Sequence, residues 1–455
     1  MSFQQQATKF SDPEKMAAAY LAQYYGNTKI EYPINPFQML KDEGVLFSFM
    51  KSDNLEGAYI PASSEDDIPI VGINVNRPIT RQRFTAAHEL CHHFRDANSE
   101  ISCPILSTKK NDVERFADGF AGALLMPMHE LRVQVNKRKN ARGEVSFDDA
   151  LEISVFFGVS FEACIRRIAY KIHALSGDVE NEELKKRIKR FGPDKERKKR
   201  HIGYAGLYAG IIDCYQEQFT FTPTERAKYI FQNEYIYNDS RMEGLDVTPE
   251  QAADIVTDLR LNAQNSIYCT EGKENEPFMS IAGHYCMYQA ILATPVSDKL
   301  DVYDMFDLNR RLFSRFPHPE YGGQKRENNT LVIGAKFETI DYADIFDELD
   351  KLNEEVKSYF ANRANIPMSE YIKAVARTHH KITVIHPFQD GNGRTSRAFM
   401  NVELVRAGIL PIYIKVDEKP KYIEALAEAD LTGDYNDLYE IIYKHIFLSF
   451  ADLIR

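Results

Sequence analysis

The spacing of apolar residues changes character along the chain. Two short apolar runs bounded by turn residues, VLFSFM at 45–50 and IPIVGINVN at 68–76, predict strands. Around them the period lengthens. Phe84, Ala87, Cys91 and Phe94 follow 3, 4, 3 spacing, and Phe116, Ala117, Phe120, Ala121 and Leu124 mark a second packed helix stopped by Pro127. Beyond residue 201 the patterns are mostly helical, as in ADIFDELDKLNEEVKSYFANRA at 343–364. One interruption, NNTLVIGAKFETI at 328–340, has strand character. The pattern predicts an α+β chain with a mixed first half and a largely α second half.

No internal repeat or low-complexity tract breaks this order. The clearest boundary is NEELKKRIKRFGPDKERKKRH at 181–201, a dense charge run divided by Gly192 and Pro193. A solvated helix and linker explains it more simply than a basic docking site. Two domains, 1–178 and 205–455, joined by a charged linker at 179–204, fit a chain of 455 residues. With 56 basic against 67 acidic residues the net charge is −11, which argues against direct nucleic-acid binding. No apolar run is long enough to span a bilayer, and the first residues lack a signal pattern. Six cysteines, 91, 103, 164, 214, 269 and 286, lie far apart and read as reduced thiols, so a cytoplasmic protein without membrane partners is expected.

Two stretches carry chemistry. In AAHELCHHF, His88 and His92 stand at i and i+4, so both imidazoles leave one helix face, with Glu89 beside them. A catalytic zinc site needs a third protein ligand and an open position. The second helix offers Glu114 as that ligand, and Asp118, one turn on, to hydrogen-bond a liganding histidine from behind. Zinc at such a site would support metal-assisted hydrolysis, with Glu89 taking the proton. His93 lies about 100° further round the helix and reads as a bystander, and Cys91 reads as buried filler.

The second stretch is HPFQDGNGRTSR at 386–397. Its glycines admit close backbone approach, and a helix starting after them offers unpaired N–H groups to an anion. Arg394 and Arg397, at i and i+3, project from one face. Asp390 is a hard ligand suited to Mg²⁺, and His386 can carry a proton near neutrality. Together they make a phosphate cradle with a base beside it. No Walker-type or kinase-like loop is present, so γ-phosphate chemistry has no support.

The first half resembles the ImmA/IrrE family of zinc metallopeptidases over roughly residues 25 to 175, through YPINPFQMLKDEGVLFS, GINVNRPITRQRFTAAHELCHHF, ERFADGFAGALLMP and FGVSFEACIRRI. The family usually has glycine at the position of Cys91 and asparagine at that of Asp118. The resemblance implies a zincin-like domain cleaving a repressor-like protein or the chain itself, although no helix-turn-helix module is evident. The second half resembles Fic-domain proteins over about residues 205 to 455, matching HPFxDGNGRxxR at every fixed position. That resemblance implies a mainly α-helical domain with a β-hairpin flap, transferring AMP from ATP to a Ser, Thr or Tyr hydroxyl of a target protein. His386 would be the base, Gly391, Asn392 and Gly393 the phosphate cradle, and Asp390 the Mg²⁺ ligand. Arg394 and Arg397 would neutralise charge toward the β and γ phosphates, with Arg326 helping to position the nucleotide. His379 and His380 read as helix packing.

NEYIYNDSRMEGLDVTPEQ at 233–251 resembles the inhibitory helix ahead of many Fic cores, which implies that Glu243 pairs with Arg397 and restrains ATP placement. The family carries Ser or Thr where Asp239 stands. The expected function is therefore an autoinhibited protein adenylyltransferase joined to a zinc-dependent peptidase, using ATP, Mg²⁺ and Zn²⁺. Two alternatives stand beside it. In one the peptidase is the main activity and the Fic half its sensor or target; in the other, a toxin-like module uses the zinc domain only to bind protein.

Overall fold

In a computed structural model the described residues are 3–64, 66–96, 101–104, 111–177, 179–262, 265–266, 276–293, 299–316, 319–331 and 338–454. They divide into two compact units, Met1–Cys214 and Tyr215–Arg455. The first is mixed α+β and the second is helical, as the spacing predicts. The flap expected at 328–337 falls largely on residues outside the described set. At its base the Thr339 hydroxyl donates to the Thr330 carbonyl at 2.6 Å. Among the described residues no helix is long and apolar enough to cross a membrane.

In the first unit, strands β1 (Leu46–Met50), β2 (Leu55–Ile60), β3 (Ile70–Asn74) and β4 (Ile101–Pro104) form one sheet in the order β1-β3-β2-β4. β1 runs parallel to β3 with Leu46 opposite Ile70, whereas β2 is antiparallel to both β3 and β4. Alternation along the strands buries Phe47, Phe49, Tyr59, Val71 and Ile73. The Ile79–Arg95 helix packs on β2 and β3, and the Asp112–Leu125 helix packs beside it. In the latter, Ala117, Phe120, Ala121 and Leu124 are buried as expected. Phe116 departs from the expected stripe: it is half-buried, with the Arg95 guanidinium 3.8 Å from its ring centroid. Phe84 is likewise half-buried.

Gly57 sets how closely helix and sheet approach. A Cβ there would lie 2.4 Å from Thr85 Cγ2 and 2.7 Å from Glu89 Oε1, so β2 can sit under Glu89 only with glycine at that point. Arg83 ties the base of the same helix to distant loops, donating through Nε to the Gly158 carbonyl (3.1 Å) and through NH2 to that of Ile34 (2.6 Å). The charge run expected as a linker is helical at Asn181–Phe191 and Pro193–Lys199, and belongs to the first unit. The Ala205–Cys214 helix belongs there too, where Asn35 Nδ2 donates to the Gly210 carbonyl at 3.0 Å.

The second unit is built around the Asn392–Arg406 helix, which is buried along nearly its whole length. The helices Glu276–Ala293, Asp304–Phe313 and Met368–Ile385 pack against it. A helix buried on all sides usually reads as uniformly apolar, yet this one carries Arg394, Arg397, Asn401 and Glu403. Each buried polar group therefore needs a partner, and those partners define the surroundings of the opening motif.

Gly57→Ala tests the close approach in the first unit. Overpacking of about 1–3 kcal/mol is expected, read as a lower denaturation midpoint at unchanged m-value. An unchanged midpoint would contradict the contact.

Candidate active sites

In the first unit the helical spacing delivers both imidazoles to one point. His88 Nε2 and His92 Nε2 lie 3.0 Å apart. Glu114 faces them, with Oε2 3.3 Å from His88 Nε2 and Oε1 3.5 Å from His92 Nε2. One ligand atom from each of the three residues lies within 4.8 Å of the others. Ligands about 2.0–2.2 Å from a tetrahedral zinc would be separated by little more than 3 Å, so the set fits that ion. Glu114 is aimed by its own helix start, where Asn111 Oδ1 accepts from the Glu114 N–H at 2.8 Å.

The outer nitrogens are also held. His88 Nδ1 is 3.1 Å from Asp118 Oδ1, and His92 Nδ1 is 2.8 Å from Asp96 Oδ2. Both contacts leave the Nε2 atoms turned toward Glu114. Asp118 is where the sequence reading expects it. Asp96 is a partner that reading missed, although its i+4 spacing from His92 was a usable signal. The Glu114 carboxyl is held far below the usual range by hydrogen bonds from His88 and His92.

Glu89 is different. It is fully buried, neither carboxylate oxygen has a hydrogen-bond partner among the described residues, and burial pushes its pKa up to about 7. An acid left without partners beside three converging ligands suits proton transfer better than structural support. His93 stays outside the cluster, with Nδ1 3.3 Å from the Tyr59 hydroxyl and its pKa drawn down to about 4 by burial. Cys91 is buried, and burial raises its thiol well above the ordinary range.

In the second unit the Met368–Ile385 helix ends at His386, whose φ of 51° puts a non-glycine residue in the left-handed region. Such a conformation persists only where its surroundings fix it. Arg326 does much of that. It is buried and donates through Nε to the His386 carbonyl (2.8 Å), through NH1 to that of Asn328 (2.8 Å), and through NH2 to that of Ile340. The expectation that Arg326 positions a nucleotide is corrected here: its guanidinium is committed to backbone carbonyls. His386 Nδ1 lies 3.4 Å from the Thr383 carbonyl, a long contact that favours the proton on Nδ1 and leaves Nε2 as the acceptor. Burial, with a further contribution from Arg326, holds its pKa below the ordinary histidine value.

Asn392 closes the loop. Its Oδ1 accepts from the Phe388 N–H at 2.9 Å and its Nδ2 donates to the Phe388 carbonyl at 2.8 Å, so only its backbone N–H is available to an anion. Gly391, at φ 78°, admits no side chain: a Cβ would lie 2.8 Å from Leu312 Cδ2 and 2.9 Å from Phe313 Cε2. Asn309 holds the same corner, its Nδ2 donating to the Asp390 carbonyl and the Thr395 hydroxyl, each at 3.1 Å. Asp390 is largely exposed, with Oδ1 accepting from the Gly391 N–H at 2.5 Å and from Arg394 NH2 at 3.1 Å. Gly393 sits where a Cβ would come within 3.2 Å of Arg397 NH1.

Both arginines of the motif are buried and reach Glu243, the residue that ends the Glu225–Met242 helix. Arg397 NH2 donates to Glu243 Oε1 at 2.6 Å, and Arg394 Nε is 3.9 Å from Glu243 Oε2. Arg397 Nε also donates to Asp239, a second partner that the sequence reading missed. The i, i+4 relation of Asp239 and Glu243 could have signalled it; nothing local singled out His284 behind it. His379 and His380 pack as expected, against Tyr422 at 2.6 Å and Asp430 at 2.7 Å.

Residues 40–169 match the IrrE N-terminal-like domain family, and residues 299–404 match the Fic/DOC family. The chain thus contains one segment that matches an IrrE-like domain and another that matches a Fic domain. Among its relatives, protein adenylyltransferase fic-1 of Caenorhabditis elegans is 23% identical over 211 residues, 46% of this chain and 39% of that protein. Protein adenylyltransferase Fic of Drosophila sechellia is 31% identical over 221 residues, 48% of this chain and 41% of that protein. The chain spans about two fifths of the length of the curated relatives it matches. A solved structure of Fic-1 from C. elegans aligns at a TM-score of 0.46 with 19% identity, covering 68% of this chain and 86% of that one.

Asp96→Ala should weaken zinc binding about 10- to 100-fold by releasing the His92 ring, measured by competition with a chromogenic chelator. Affinity equal to that of the unaltered protein would contradict its role.

Proposed function

We propose that the chain is a protein adenylyltransferase whose catalytic residues lie within 205–455, restrained by Glu243, and that residues 1–178 form a zinc-dependent peptidase domain, with 179–204 connecting them. The observation that carries the first part is the geometry of His386, whose Nε2 has no hydrogen-bond partner among the described residues and stands beside a glycine-opened helix start bearing two buried arginines. The naming of the relatives as protein adenylyltransferases supports the same reading.

In this reading a target hydroxyl gives its proton to His386 Nε2 as its oxygen bonds to the α-phosphorus of ATP, and pyrophosphate leaves. The backbone around Gly391–Gly393 receives the phosphates, and Arg394 and Arg397 hold the charge that builds on the leaving group. Magnesium, when bound, would lie on Asp390 and offset phosphate charge. Glu243 occupies the face of both arginines that those phosphates need. Its carboxylate ends a helix, where the dipole disfavours negative charge by about 0.3–1 kcal/mol, and it is one-third exposed. It is therefore held by the arginines alone and can yield to a competing anion.

For the first domain, His88, His92 and Glu114 would hold zinc, which when bound supplies a polarising charge and a water of lowered pKa. Glu89, whose two oxygens have no hydrogen-bond partner among the described residues, would take up a proton there and pass it on. A buried acid of raised pKa beside three converging ligands favours peptide hydrolysis over mere protein binding.

Glu243→Gly removes an ion pair worth about 1.5–3 kcal/mol, so self-labelling from α-³²P ATP should rise roughly 10- to 100-fold. His386→Ala in that background should lower it by about 10²-fold or more. Label from γ-³²P ATP in place of α-³²P ATP would overturn the assignment. The pH profile follows from the same imidazole. His386 must be neutral to accept a proton, and its pKa lies below the ordinary 6.5. The acid-side loss of labelling should therefore have its midpoint below about pH 6.5; a midpoint above that value would contradict the role.

A further inference from the structure

Asp239 and Glu243 stand one helical turn apart and reach the same guanidinium, yet their surroundings differ. Glu243 lies at the helix end and is one-third exposed; the Asp239 side chain is only 4% exposed. One Asp239 oxygen accepts from Arg397 Nε. The other lies 2.9 Å from His284 Nε2, in close contact though not aligned as a hydrogen bond. His284 is itself fully buried, with Nδ1 2.9 Å from the Ser280 carbonyl and 3.3 Å from the Ser240 hydroxyl. Burial would push the Asp239 carboxyl upward, but Arg397 and His284 outweigh it and hold it down at about 2. An ionised group that deep cannot turn to solvent, and leaving Arg397 would strand two buried charges. Glu243 can leave. Asp239 stays.

We propose that Asp239 is a positioning residue for AMP transfer: it fixes the Nε edge of Arg397 permanently, so that when Glu243 withdraws, an already aimed guanidinium presents its NH1 and NH2 ends to the nucleotide phosphates. The inference rests on the adenylyltransferase reading and deepens it. A planar fork grips phosphate well only in the right orientation, and a carboxylate on Nε constrains that orientation without using the two outer nitrogens. At this position the inhibitory motif that the segment resembles carries a hydroxyl. Here the same arginine has one fixed carboxylate and one removable carboxylate.

The test uses the full chain with Glu243→Gly and His386→Ala, which cannot transfer AMP, titrated calorimetrically with Mg·ATP. Adding Asp239→Ser should weaken ATP binding about 10-fold or more, whereas Asp239→Asn, which keeps an acceptor oxygen for Nε, should restore most of the affinity. Adding Asp239→Glu keeps the charge but displaces the oxygen by a methylene, and should also weaken binding. It replaces the serine variant should that one fail to fold, as judged by thermal melting without nucleotide. In the transferring Glu243→Gly protein, Asp239→Ser should raise KM for ATP and also lower kcat, since Arg397 both grips the phosphates and holds the charge that builds on the leaving group, whereas Asp239→Asn should restore both. A folded Asp239→Ser protein that binds ATP as tightly or more tightly would overturn the proposal, because Asp239 would then only be offsetting positive charge. Absence of ATP binding by the parent double variant would overturn the nucleotide reading itself, and this assignment with it.

Discussion

The buried guanidinium of Arg397 is the constraint on which the second unit turns. A cation taken out of water is tolerated only with close, well-aligned counter-charges, and both of these come from the last turn of the Glu225–Met242 helix. That requirement binds this helix to the Asn392–Arg406 helix and brings Glu243 onto the face that a phosphate would use. The two carboxylates do different work because of their depth. One is locked behind His284, and the other hangs at a helix end with its charge opposed by the dipole. Restraint and readiness are thus properties of one arginine.

The same logic orders the first unit. His88 and His92 are each steadied at Nδ1 by an aspartate, and Glu114 closes on both Nε2 atoms. Among the described residues, buried side-chain atoms without a hydrogen-bond partner are scattered through both units, and a few of them lie where chemistry is proposed. They include the two oxygens of Glu89 and Arg394 Nε. A folded chain seldom leaves such atoms unpaired, so their positions are informative in themselves.

Much of this was legible in sequence because it is local. Helical spacing brings His88 and His92 together, glycines flank the turn that opens the Asn392–Arg406 helix, and the second helix presents Glu114 and Asp118 in register. Asp96 and Asp239 obey the same i, i+4 rule but were passed over, one beyond the motif and the other read as a departure from a family pattern. What spacing could not reveal is long-range. Arg326 looked like a nucleotide ligand until its guanidinium was found on the carbonyls of His386, Asn328 and Ile340. His284 and Asn309 sit in ordinary helices, and only packing brings them to Asp239 and to the corner at Asp390. β2 was also missed, since LEGAYI carries a buried glutamate, held by Arg77 at 2.8 Å, and a glycine required by the helix above.

The central claim is that phosphate and Glu243 compete for Arg397 while Asp239 holds it throughout. A crystal structure of the unaltered chain with magnesium and a non-hydrolysable ATP analogue tests this most directly. The expected result has Glu243 displaced, phosphate oxygens on the outer nitrogens of Arg397, and Asp239 still on Nε. Phosphates bound elsewhere, with the Glu243–Arg397 pair intact, would contradict the account.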